Sequence, residues 1–360
     1  MRVWVDITDA SHVAFFAPIV RRLERAGHVA TITARRFAGA DLLMRRYGLG
    51  AVLTGRHRGG SLGTRAVGLV NRTAQLIGSA SSGRFDVAAG SHASDFALTC
   101  WTLGVPQLTL LDDERPRANL VNVRLVDEVA APQAMPASIL AALGAPPEKL
   151  FRFPGFKEEY YLYDVRPDPR ALASLDVDPR QVVGVVRPPR PPRAADAITA
   201  PAEAMLAALV QDLTGRPDVT LVVVARDREQ RRRFAALGLP RVIVPDGAVD
   251  GIGLIAAADF LLGAGGAMPR EAVALGTPAY TVSRRPPSAV DAALMAEGRL
   301  RRAEMVEDIV LEKKDRRGDL LPATPRDPQL FVDELLRLAR RSSRRARLGR
   351  FVQDLTDPGE

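Results

Sequence analysis

The segment 263–271 has the sequence GAGGAMPRE and lies between a short apolar run and a helical pattern. Residues 259–262, DFLL, predict a buried strand before it, and Pro269 to Leu275, closed by Gly276, predicts a helix after it. Three glycines in the turn permit positive φ and let a ligand approach the backbone without meeting a Cβ atom. The unpaired N–H groups and positive dipole end of the helix favour an anion, so the segment predicts a phosphate-binding turn.

Two side chains of this segment sharpen the prediction. Arg270 lies in the first turn of the predicted helix, where its charge opposes the helix dipole and is best explained by an anion nearby. Glu271 lacks a capping-box partner three residues earlier, where the chain has Met268, so its carboxylate suits sugar hydroxyls. The predicted phosphate and nucleotide positions are Gly263, Gly265, Gly266, Ala267, Met268, Arg270, Glu271 and Arg187. The alternative is a turn that needs glycine for packing alone.

The rest of the chain alternates strand-like and helical patterns. Val3 to Ile7 predicts a first strand, residues 14–26 a helix and Val29 to Thr33 a second strand, and the same rhythm resumes at Val182. This βαβ alternation predicts an α/β protein with two tandem doubly wound, Rossmann-like domains facing a central cleft. The predicted parts are an acceptor-side N-terminal domain over 1–153, a linker over 154–163, a nucleotide-sugar domain over 164–327, and a basic amphipathic helix and tail over 328–360.

Composition narrows the class of protein. With 360 residues, 47% hydrophobic and 26% charged, the chain matches a soluble globular protein of two domains. The single Cys100 excludes an intrachain disulfide and, together with the lack of a signal-peptide or transmembrane pattern, predicts a cytoplasmic protein. The net charge of +8 suits anionic ligands, but aromatic residues at 5% and the lack of a binding signature make nucleic acid an unfavoured partner. The basic C-terminal helix predicts packing against the body, with a peripheral membrane contact as the alternative.

The glycine turn also resembles a known motif. Residues 265–278, GGAMPREAVALGTP, resemble the donor-phosphate motif of non-hydrolysing UDP-N-acetylglucosamine 2-epimerases and related glycosyltransferases of GT-B architecture. The resemblance implies that Gly265 and Gly266 contact a diphosphate and that Glu271 contacts the ribose. It also implies a UDP-linked nucleotide sugar as substrate, with no separate cofactor and no metal.

A second resemblance covers almost the whole chain. Residues 4–13 (WVDITDASHV), 154–159 (PGFKEE) and 186–189 (VRPP), together with the glycine turn, are similar to an uncharacterised prokaryotic family of about this length. That family is described as GT-B-like and of unknown function, so the resemblance supports the fold and leaves the substrate open.

The comparison with the epimerases also shows departures. Where their second domain has a catalytic His-Arg pair, this chain has Arg187 and no histidine beyond His92. Ser91 stands where one acid is expected, while residues 112–114, DDE, fall near the place of another. Epimerisation by proton abstraction needs a positioned acid and base, so these departures weigh against that chemistry.

Polar residues after predicted strands are the candidates for catalysis. Asp6 and His12 follow the first strand, His92 starts a helix after a later strand, and Asp113 lies in the acidic run. Each has a structural alternative, such as helix capping near His12 or pairing of the acidic run with Arg115. Carboxylates also suit a hard cation, but we favour the solvated loop over a metal site.

The proline-rich segment 187–193, RPPRPPR, offers cations at a strand end. Its arginines could clamp phosphate in bidentate fashion, and Arg187, nearest the strand, is the favoured ligand. The alternatives are a polyproline segment bound by a partner and a rigid surface loop.

We therefore predict a metal-independent GT-B glycosyltransferase that takes a nucleotide sugar and an unknown acceptor. A UDP-sugar 2-epimerase or hydrolase is the first alternative. The second is a non-catalytic protein that binds RNA or anionic lipid through its basic surface.

Overall fold

The chain divides into two compact units in a computed structural model. The structure describes residues 1–37, 40–56, 62–80, 83–116, 118–168, 170–178, 180–190, 199–247, 249–314 and 322–356. Unit 1 comprises Met1–Tyr161 and Asp327–Glu360, and unit 2 comprises Leu162–Arg326. The last part of the chain therefore belongs to the unit that the first part begins.

Unit 1 contains a seven-stranded parallel sheet. Its strands are β1 (Arg2–Ile7), β2 (Val29–Arg36), β3 (Ala51–Arg56), β4 (Val87–Ser91), β5 (Gln107–Leu110), β6 (Glu128–Pro132) and β7 (Leu150–Phe153). Their order is β3-β2-β1-β4-β5-β6-β7, and every neighbouring pair is parallel. The helices are α1 (Ala10–Arg25), α2 (Ala40–Arg46), α3 (Leu62–Ala80), α4 (Ser94–Leu103), α5 (Asn119–Leu125), α6 (Ala137–Leu143) and α7 (Lys157–Tyr161).

Unit 2 contains a six-stranded parallel sheet. Its strands are β8 (Val182–Arg187), β9 (Val219–Val223), β10 (Val242–Ile243), β11 (Phe260–Gly263), β12 (Ala279–Thr281) and β13 (Leu300–Arg302). Their order is β10-β9-β8-β11-β12-β13. The helices are α8 (Thr199–Thr214), α9 (Arg228–Ala236), α10 (Gly251–Ala257), α11 (Ala267–Ala274) and α12 (Ala289–Ala296), so the prediction of two doubly wound α/β domains is confirmed.

Each sheet has one point where the strand order reverses. In unit 1 this point lies between β1 and β4, and in unit 2 it lies between β8 and β11. Helices leave opposite faces of the sheet on either side of such a point, which opens a crevice at the carboxyl ends of the two strands. The residues that follow β1, β4, β8 and β11 are therefore where a ligand is expected.

The central strands of unit 2 are rich in valine because helices cover both faces of a parallel sheet. In β9 all five residues are buried, and in β8 the first five are. Gly184 of β8 makes room for a large neighbour, because a Cβ atom there would lie 2.2 Å from Cζ of Phe260. The core of unit 2 is thus built around Phe260 at the centre of its sheet.

The final helix, α13 (Gln329–Thr356), packs on unit 1. Phe331 is 1% exposed and meets the rings of Phe15, Phe153 and Tyr160 edge to face at 4.9–5.1 Å. Among the described helices, none combines the length and apolar character that crossing a bilayer requires. A membrane contact of the basic helix stays a prediction.

Two helix starts differ from the predicted ones. Helix α1 begins at Ala10, four residues before the predicted start, because the Asp9 carboxylate accepts from the backbone N–H groups of Ser11 (2.9 Å) and His12 (3.3 Å). Helix α11 begins at Ala267, and Pro269 lies inside its first turn, where a missing N–H removes no helical hydrogen bond. His12 therefore lies on a helix, where the prediction had placed it in a loop.

Candidate functional site

Unit 1 gathers four polar side chains near the carboxyl edge of its sheet. His12 lies in the first turn of α1, His92 between β4 and α4, Asp112 after β5, and Lys157 at the start of α7. We call these four residues the histidine cluster. Ring nitrogens of His12 and His92 and a carboxylate oxygen of Asp112 lie within 4.8 Å of one another, and the two rings stack with centroids 5.9 Å apart. The reversal point between β1 and β4 thus carries a compact polar site.

The hydrogen bonds of His92 fix its protonation state. The Nδ2 group of Asn119 donates to the Asp113 carbonyl at 2.8 Å, which turns its Oδ1 toward His92 Nδ1 at 2.8 Å. The other nitrogen, Nε2, lies 2.6 Å from an oxygen of Asp112. Both ring nitrogens thus face acceptors, and both carry a proton. Burial disfavours the cation, but the hydrogen bond and charge of Asp112 outweigh it and raise the pKa of His92.

The backbone of His92 is in a conformation that few residues adopt. Its φ is +50°, in the left-handed region, which is uncommon for a residue other than glycine. Such a conformation costs free energy and persists where surrounding contacts hold it. Here the two ring hydrogen bonds hold the side chain in a fixed direction.

His12 has the opposite protonation state. The Thr8 hydroxyl donates to the Ser91 carbonyl at 3.2 Å, so its oxygen accepts from His12 Nδ1 at 3.0 Å. Nδ1 therefore carries the proton of a neutral ring. Within the described part of the chain, Nε2 of His12 has no hydrogen-bond partner. Burial lowers the pKa of His12 to about 4, although the charge of Asp9 opposes the shift.

Asp112 and Lys157 complete the cluster. The Lys157 ammonium donates to one oxygen of Asp112, while His92 donates to the other. Burial opposes ionisation of Asp112, but the charge of Lys157 holds the pKa of this carboxyl well below its usual range. Lys157 also donates to Ser11 Oγ at 3.3 Å. Two cations thus already share the Asp112 carboxylate.

The same three residues, His12, His92 and Asp112, are near enough to hold a metal ion. A metal would need a deprotonated His92 nitrogen and a carboxylate oxygen not already bound to a cation. The hydrogen bonds of His92 and the ion pair of Lys157 satisfy neither condition. The arrangement fits proton transfer better than metal binding.

Two other predicted catalytic carboxylates lie outside this cluster. Asp6 is fully buried and accepts from Arg72 and Thr33, both at 2.7 Å. Arg72 in turn donates to Asp95 at 2.8 Å, forming a buried ion network. Asp113 pairs with Arg115 at 2.6 and 2.7 Å on the surface. These contacts give both carboxylates structural partners, and their catalytic roles stay predictions.

Unit 2 gathers arginines at the reversal point of its sheet. Arg187 ends β8, Arg190 follows it, and Arg226 comes shortly after β9. We call these three residues the arginine cluster. Sequence reasoning missed Arg226, although it lies two residues after the strand-like run 220–224, TLVVV. The later prolines of the segment 187–193 fall within 191–198, outside the described residues.

Backbone carbonyls hold two of these arginines in place. Arg187 donates to the carbonyls of Val224 and Ala225 at 2.7 and 3.1 Å, and Arg226 donates to that of Pro188 at 2.9 Å. Burial, and then the charges of Arg187 and Arg190, lower the pKa of Arg226 to about 9. Burial also lowers the pKa of Arg187. An anion bound beside Arg187 and Arg226 would be stabilised by both cations.

The glycine turn lies beside the arginine cluster. Gly265 and Gly266 have φ values of +86° and +96°, and Gly266 with ψ −164° is the N-cap of α11. Only glycine adopts this last conformation readily. A Cβ atom on Gly266 would lie 3.6 Å from a guanidinium nitrogen of Arg226. The first N–H groups of α11 and the Arg226 cation therefore meet at one point.

The two charged residues of α11 have different surroundings. Arg270 is buried and donates to Asp291 and Ser288, both at 2.7 Å, which accounts for a cation in the first turn without a bound anion. Glu271 lies near enough to Arg187 for its charge to act on that guanidinium. A cavity of about 220 Å³ adjoins Arg226, lined by residues 223–228, Arg231, Pro245, Gly247 and Val249.

Comparison with known proteins places the chain in a family and a fold. The family described as "Protein of unknown function (DUF354)" matches residues 1–320. An uncharacterised protein of Methanocaldococcus jannaschii is 24% identical over 324 residues, which are 88% of this chain and 92% of the relative.

Solved structures of nucleotide-sugar enzymes share the fold. The UDP-GlcNAc 2-epimerase of Methanocaldococcus jannaschii, in complex with UDP-GlcNAc and UDP, gives a TM-score of 0.69 at 14% identity, covering 93% of this chain and 99% of that one. The glycosyltransferase VinC, in complex with dTDP, gives 0.59 at 18% identity, covering 95% and 100%. The predicted GT-B-like fold is confirmed, and identities this low carry the likeness no further than the fold.

Proposed function

The chain belongs to the family described as "Protein of unknown function (DUF354)", and from this premise we propose that it is a metal-independent glycosyltransferase that uses a nucleotide sugar. In this proposal unit 2 binds the nucleoside diphosphate of the donor, and a general base activates an acceptor hydroxyl. The acceptor class is left open.

The arginine cluster beside the glycine turn carries the proposal. Arg226 lies beside Gly266, the N-cap of α11, where the first N–H groups of the helix have no intrahelical acceptor, and its charge repels those of Arg187 and Arg190. A diphosphate would neutralise the cations, accept from the N–H groups and match the bidentate geometry of arginine. In glycosyl transfer the same contacts would stabilise the negative charge that develops on the departing diphosphate.

Neighbouring features suit the rest of a nucleotide. The cavity beside Arg226 has the size of a small ligand fragment and adjoins the proposed phosphate position. Glu271 on α11 is proposed to accept hydrogen bonds from the ribose hydroxyls. It lies close enough to Arg187 for the two charges to interact. UDP is the favoured nucleotide because the epimerase with the same fold was solved with UDP-GlcNAc and UDP.

A UDP-sugar epimerase or hydrolase is the second candidate. The specific observation in its favour is the pair of stacked histidines with opposite protonation states, since elimination chemistry needs both a base and an acid. Incorporation of solvent deuterium into UDP-GlcNAc would identify an epimerase. Transfer without deuterium incorporation would identify a transferase.

Thermal unfolding in the presence of nucleotides tests the binding proposal. We expect UDP and UDP-GlcNAc at millimolar concentration to raise the Tm by several degrees, since a ligand at about 100 times its Kd stabilises by about 2.7 kcal/mol. Two variants should lose the shift: Arg226→Gln removes a cation, and Gly266→Ala places a Cβ atom at φ +96°. Arg180→Gln is the matched control, because Arg180 precedes β8 at the opposite end of the sheet and is 88% exposed.

Two outcomes would overturn the proposal. One is the absence of any Tm shift with UDP, dTDP or their sugars in the wild-type protein. The other is binding of RNA or anionic vesicles that weakens steeply with salt and ignores UDP, which would favour a non-catalytic binding protein.

A further inference from the structure

The hydrogen bonds of the histidine cluster assign opposite protonation states to His12 and His92. We propose that His12 is the general base of this protein, with Nε2 as the proton-accepting atom, and that His92 and Lys157 are positioning residues that keep His12 neutral. The catalytic role rests on the proposed transferase function, whereas the protonation states can be measured without any substrate.

A chain of directed hydrogen bonds sets the tautomer of His12. The Ser91 carbonyl can only accept a hydrogen bond, so the Thr8 hydroxyl donates its one proton to it. The Thr8 oxygen is then an acceptor, and His12 must present Nδ1–H to it. The lone pair of the neutral ring is therefore on Nε2. A histidine in this tautomer can take up one proton at a defined atom.

The charges around His12 favour the neutral ring. From α1, Asp9 faces it at 3.8 Å, but its carboxylate is engaged by the Ser11 hydroxyl at 2.8 Å and by backbone N–H groups of the helix start. From β5, Asp112 faces it with both oxygens already bound to cations. The remaining groups are the cations His92 and Lys157, and both oppose a further positive charge. Together with burial, they lower the pKa of His12.

His92 and Lys157 act through Asp112. If Lys157 were neutral, one oxygen of the Asp112 carboxylate would lose its cation, and its negative charge would stabilise protonated His12. Asn119 and Asp112 accept hydrogen bonds from the two ring nitrogens of His92. Loss of a proton from His92 would break one of these bonds, so the ring keeps its positive charge. The three side chains therefore set the affinity of His12 for a proton without competing for one.

The proposed step transfers one proton to His12 and one glycosyl group to the acceptor. His12 Nε2 takes the proton of an acceptor hydroxyl while the hydroxyl oxygen forms a bond to the anomeric carbon of the donor sugar. The bond from that carbon to the diphosphate oxygen breaks, and its electron pair leaves with the nucleoside diphosphate. His12 then returns its proton to solvent. A base with a pKa of about 4 is unprotonated at every physiological pH, and it takes up a proton less strongly than a base that titrates near neutral pH.

Nitrogen-15 NMR of the histidine rings tests the inference directly. The chain has four histidines, so the ring signals can be assigned by substitution. In wild-type protein at pH 7 we expect His12 as a neutral ring protonated at Nδ1, and His92 protonated at both nitrogens. On acidification His12 should titrate with a midpoint near pH 4 rather than at its ordinary value of 6.5.

Substitution of Lys157 separates a positioning role from a purely structural one. In Lys157→Met the midpoint of His12 should move up by about one pH unit, since a nearby cation has been removed and Asp112 is less neutralised. Lys157→Arg should restore the wild-type midpoint. Lys149→Met is the matched control, because Lys149 bonds to the Val126 carbonyl before β7, at the opposite end of the sheet.

Three results would overturn the inference: His12 protonated at Nε2 in its neutral form, a wild-type midpoint near 6.5, or an unchanged midpoint in folded Lys157→Met. If Lys157→Met does not fold, the wild-type tautomers and the Lys157→Arg titration still decide the matter. Failure of the nucleotide-binding proposal would appear in the UDP thermal shift instead. The two proposals can therefore fail separately.

Discussion

Adjacent carboxylates in unit 1 show how much a residue's role depends on its partners. Asp112 is 6% exposed and binds His92 and Lys157, whereas Asp113 pairs with Arg115 at the surface. The two side chains have the same chemistry and neighbouring positions. Asp112 lies in the histidine cluster, and Asp113 lies outside it.

The neutral state of His12 should make the free energy of unfolding depend on pH under acidic conditions. Its pKa in the folded protein is about 4, below its ordinary 6.5, so the unfolded chain binds more protons between these values. Stability from this group is present above pH 6.5 and is lost as the pH falls toward 4. Between pH 6.5 and pH 4.5 we expect the free energy of unfolding to fall by about 2 kcal/mol more in wild type than in His12→Gln.

Urea titrations at pH 4.5, 5.5 and 6.5 would measure this difference. His92, with a raised pKa, contributes stability that is lost as the pH rises above 6.5, so its effect lies outside the window. His28→Gln is the control, since His28 precedes β2 at the amino end of the sheet. Parallel curves for His12→Gln and wild type would contradict the assignment of a neutral His12.

The buried ion network at Asp6 should matter for stability. Arg72 is 2% exposed and bridges Asp6 and Asp95. Arg72→Met would leave the buried Asp6 carboxylate without its cation, while Asp95 keeps its ion pair with Arg35 at 2.6 Å, and we expect a loss of about 3–5 kcal/mol in urea unfolding. Arg180→Met, which breaks an exposed pair with Asp178, should leave the unfolding midpoint unchanged. An unchanged midpoint for Arg72→Met would show that the network contributes nothing.

Sequence reasoning found some of the candidate residues and missed others for physical reasons. His12 and His92 could be found because polar residues after strands of a parallel sheet collect at one edge. Lys157 was missed because the segment 154–163 had been assigned to a linker, whereas α7 carries Lys157 to Asp112. The protonation states depend on the contacts of Thr8 with the Ser91 carbonyl and of His92 with Asn119, and contacts between residues far apart in the chain leave no local pattern.

At the scale of elements, residue types predicted the backbone conformation of the glycine turn better than they predicted where the helices begin. The positive φ of Gly265 and Gly266 follows from the residue type at a strand-to-helix turn. The true starts of α1 and α11 depend on Asp9 as a cap and on how many residues the turn needs, which an apolar pattern does not report.

Gly184 should tolerate a methyl group far less well than another glycine of unit 2. In Gly184→Ala the new Cβ atom would meet Phe260 at 2.2 Å and Leu221 at 2.8 Å, and we expect a loss of about 1–3 kcal/mol or more. Gly251→Ala is the matched control, because it adds the same methyl group to α10, where nothing lies within 4 Å. It should be neutral or stabilising by about 0.5–1 kcal/mol in the same urea unfolding assay. Addition of Phe260→Leu should recover part of the Gly184→Ala loss, and equal effects of the two alanines would contradict this packing.

At the scale of the whole molecule, the alternation of strands and helices predicted the fold class. It did not predict that the last helix belongs to unit 1. Helix α13 joins unit 1 through contacts such as that of Arg337 with Glu128, 209 residues earlier in the chain. An amphipathic pattern predicts that a helix is covered on one face. It does not predict which part of the chain covers it.

Phe331 should therefore control the stability of unit 1 from the far end of the chain. Phe331→Ala removes a ring packed against Phe15, Phe153 and Tyr160, and we expect a cost of about 3–5 kcal/mol. Hydrogen exchange should show lost protection in β1, β4 and β7, with β8, β9 and β11 unchanged. Asp333→Ala on the exposed face of α13 should stay within about 0.5 kcal/mol of wild type. Uniform loss of protection in both sheets would contradict this division into units.

The return of α13 to unit 1 also sets an order of events on the ribosome. Unit 2 is continuous in the chain, whereas unit 1 lacks its final helix until some 209 residues after Glu128 have been made. At about 5–20 residues per second that interval lasts on the order of 10–40 s. During it the aromatic face formed by Phe15, Phe151, Phe153 and Tyr160 has no Phe331 to cover it. The nascent N-terminal segment thus exposes apolar surface of the kind that makes folding intermediates prone to aggregate, and the second unit to be synthesised is the first that can finish folding.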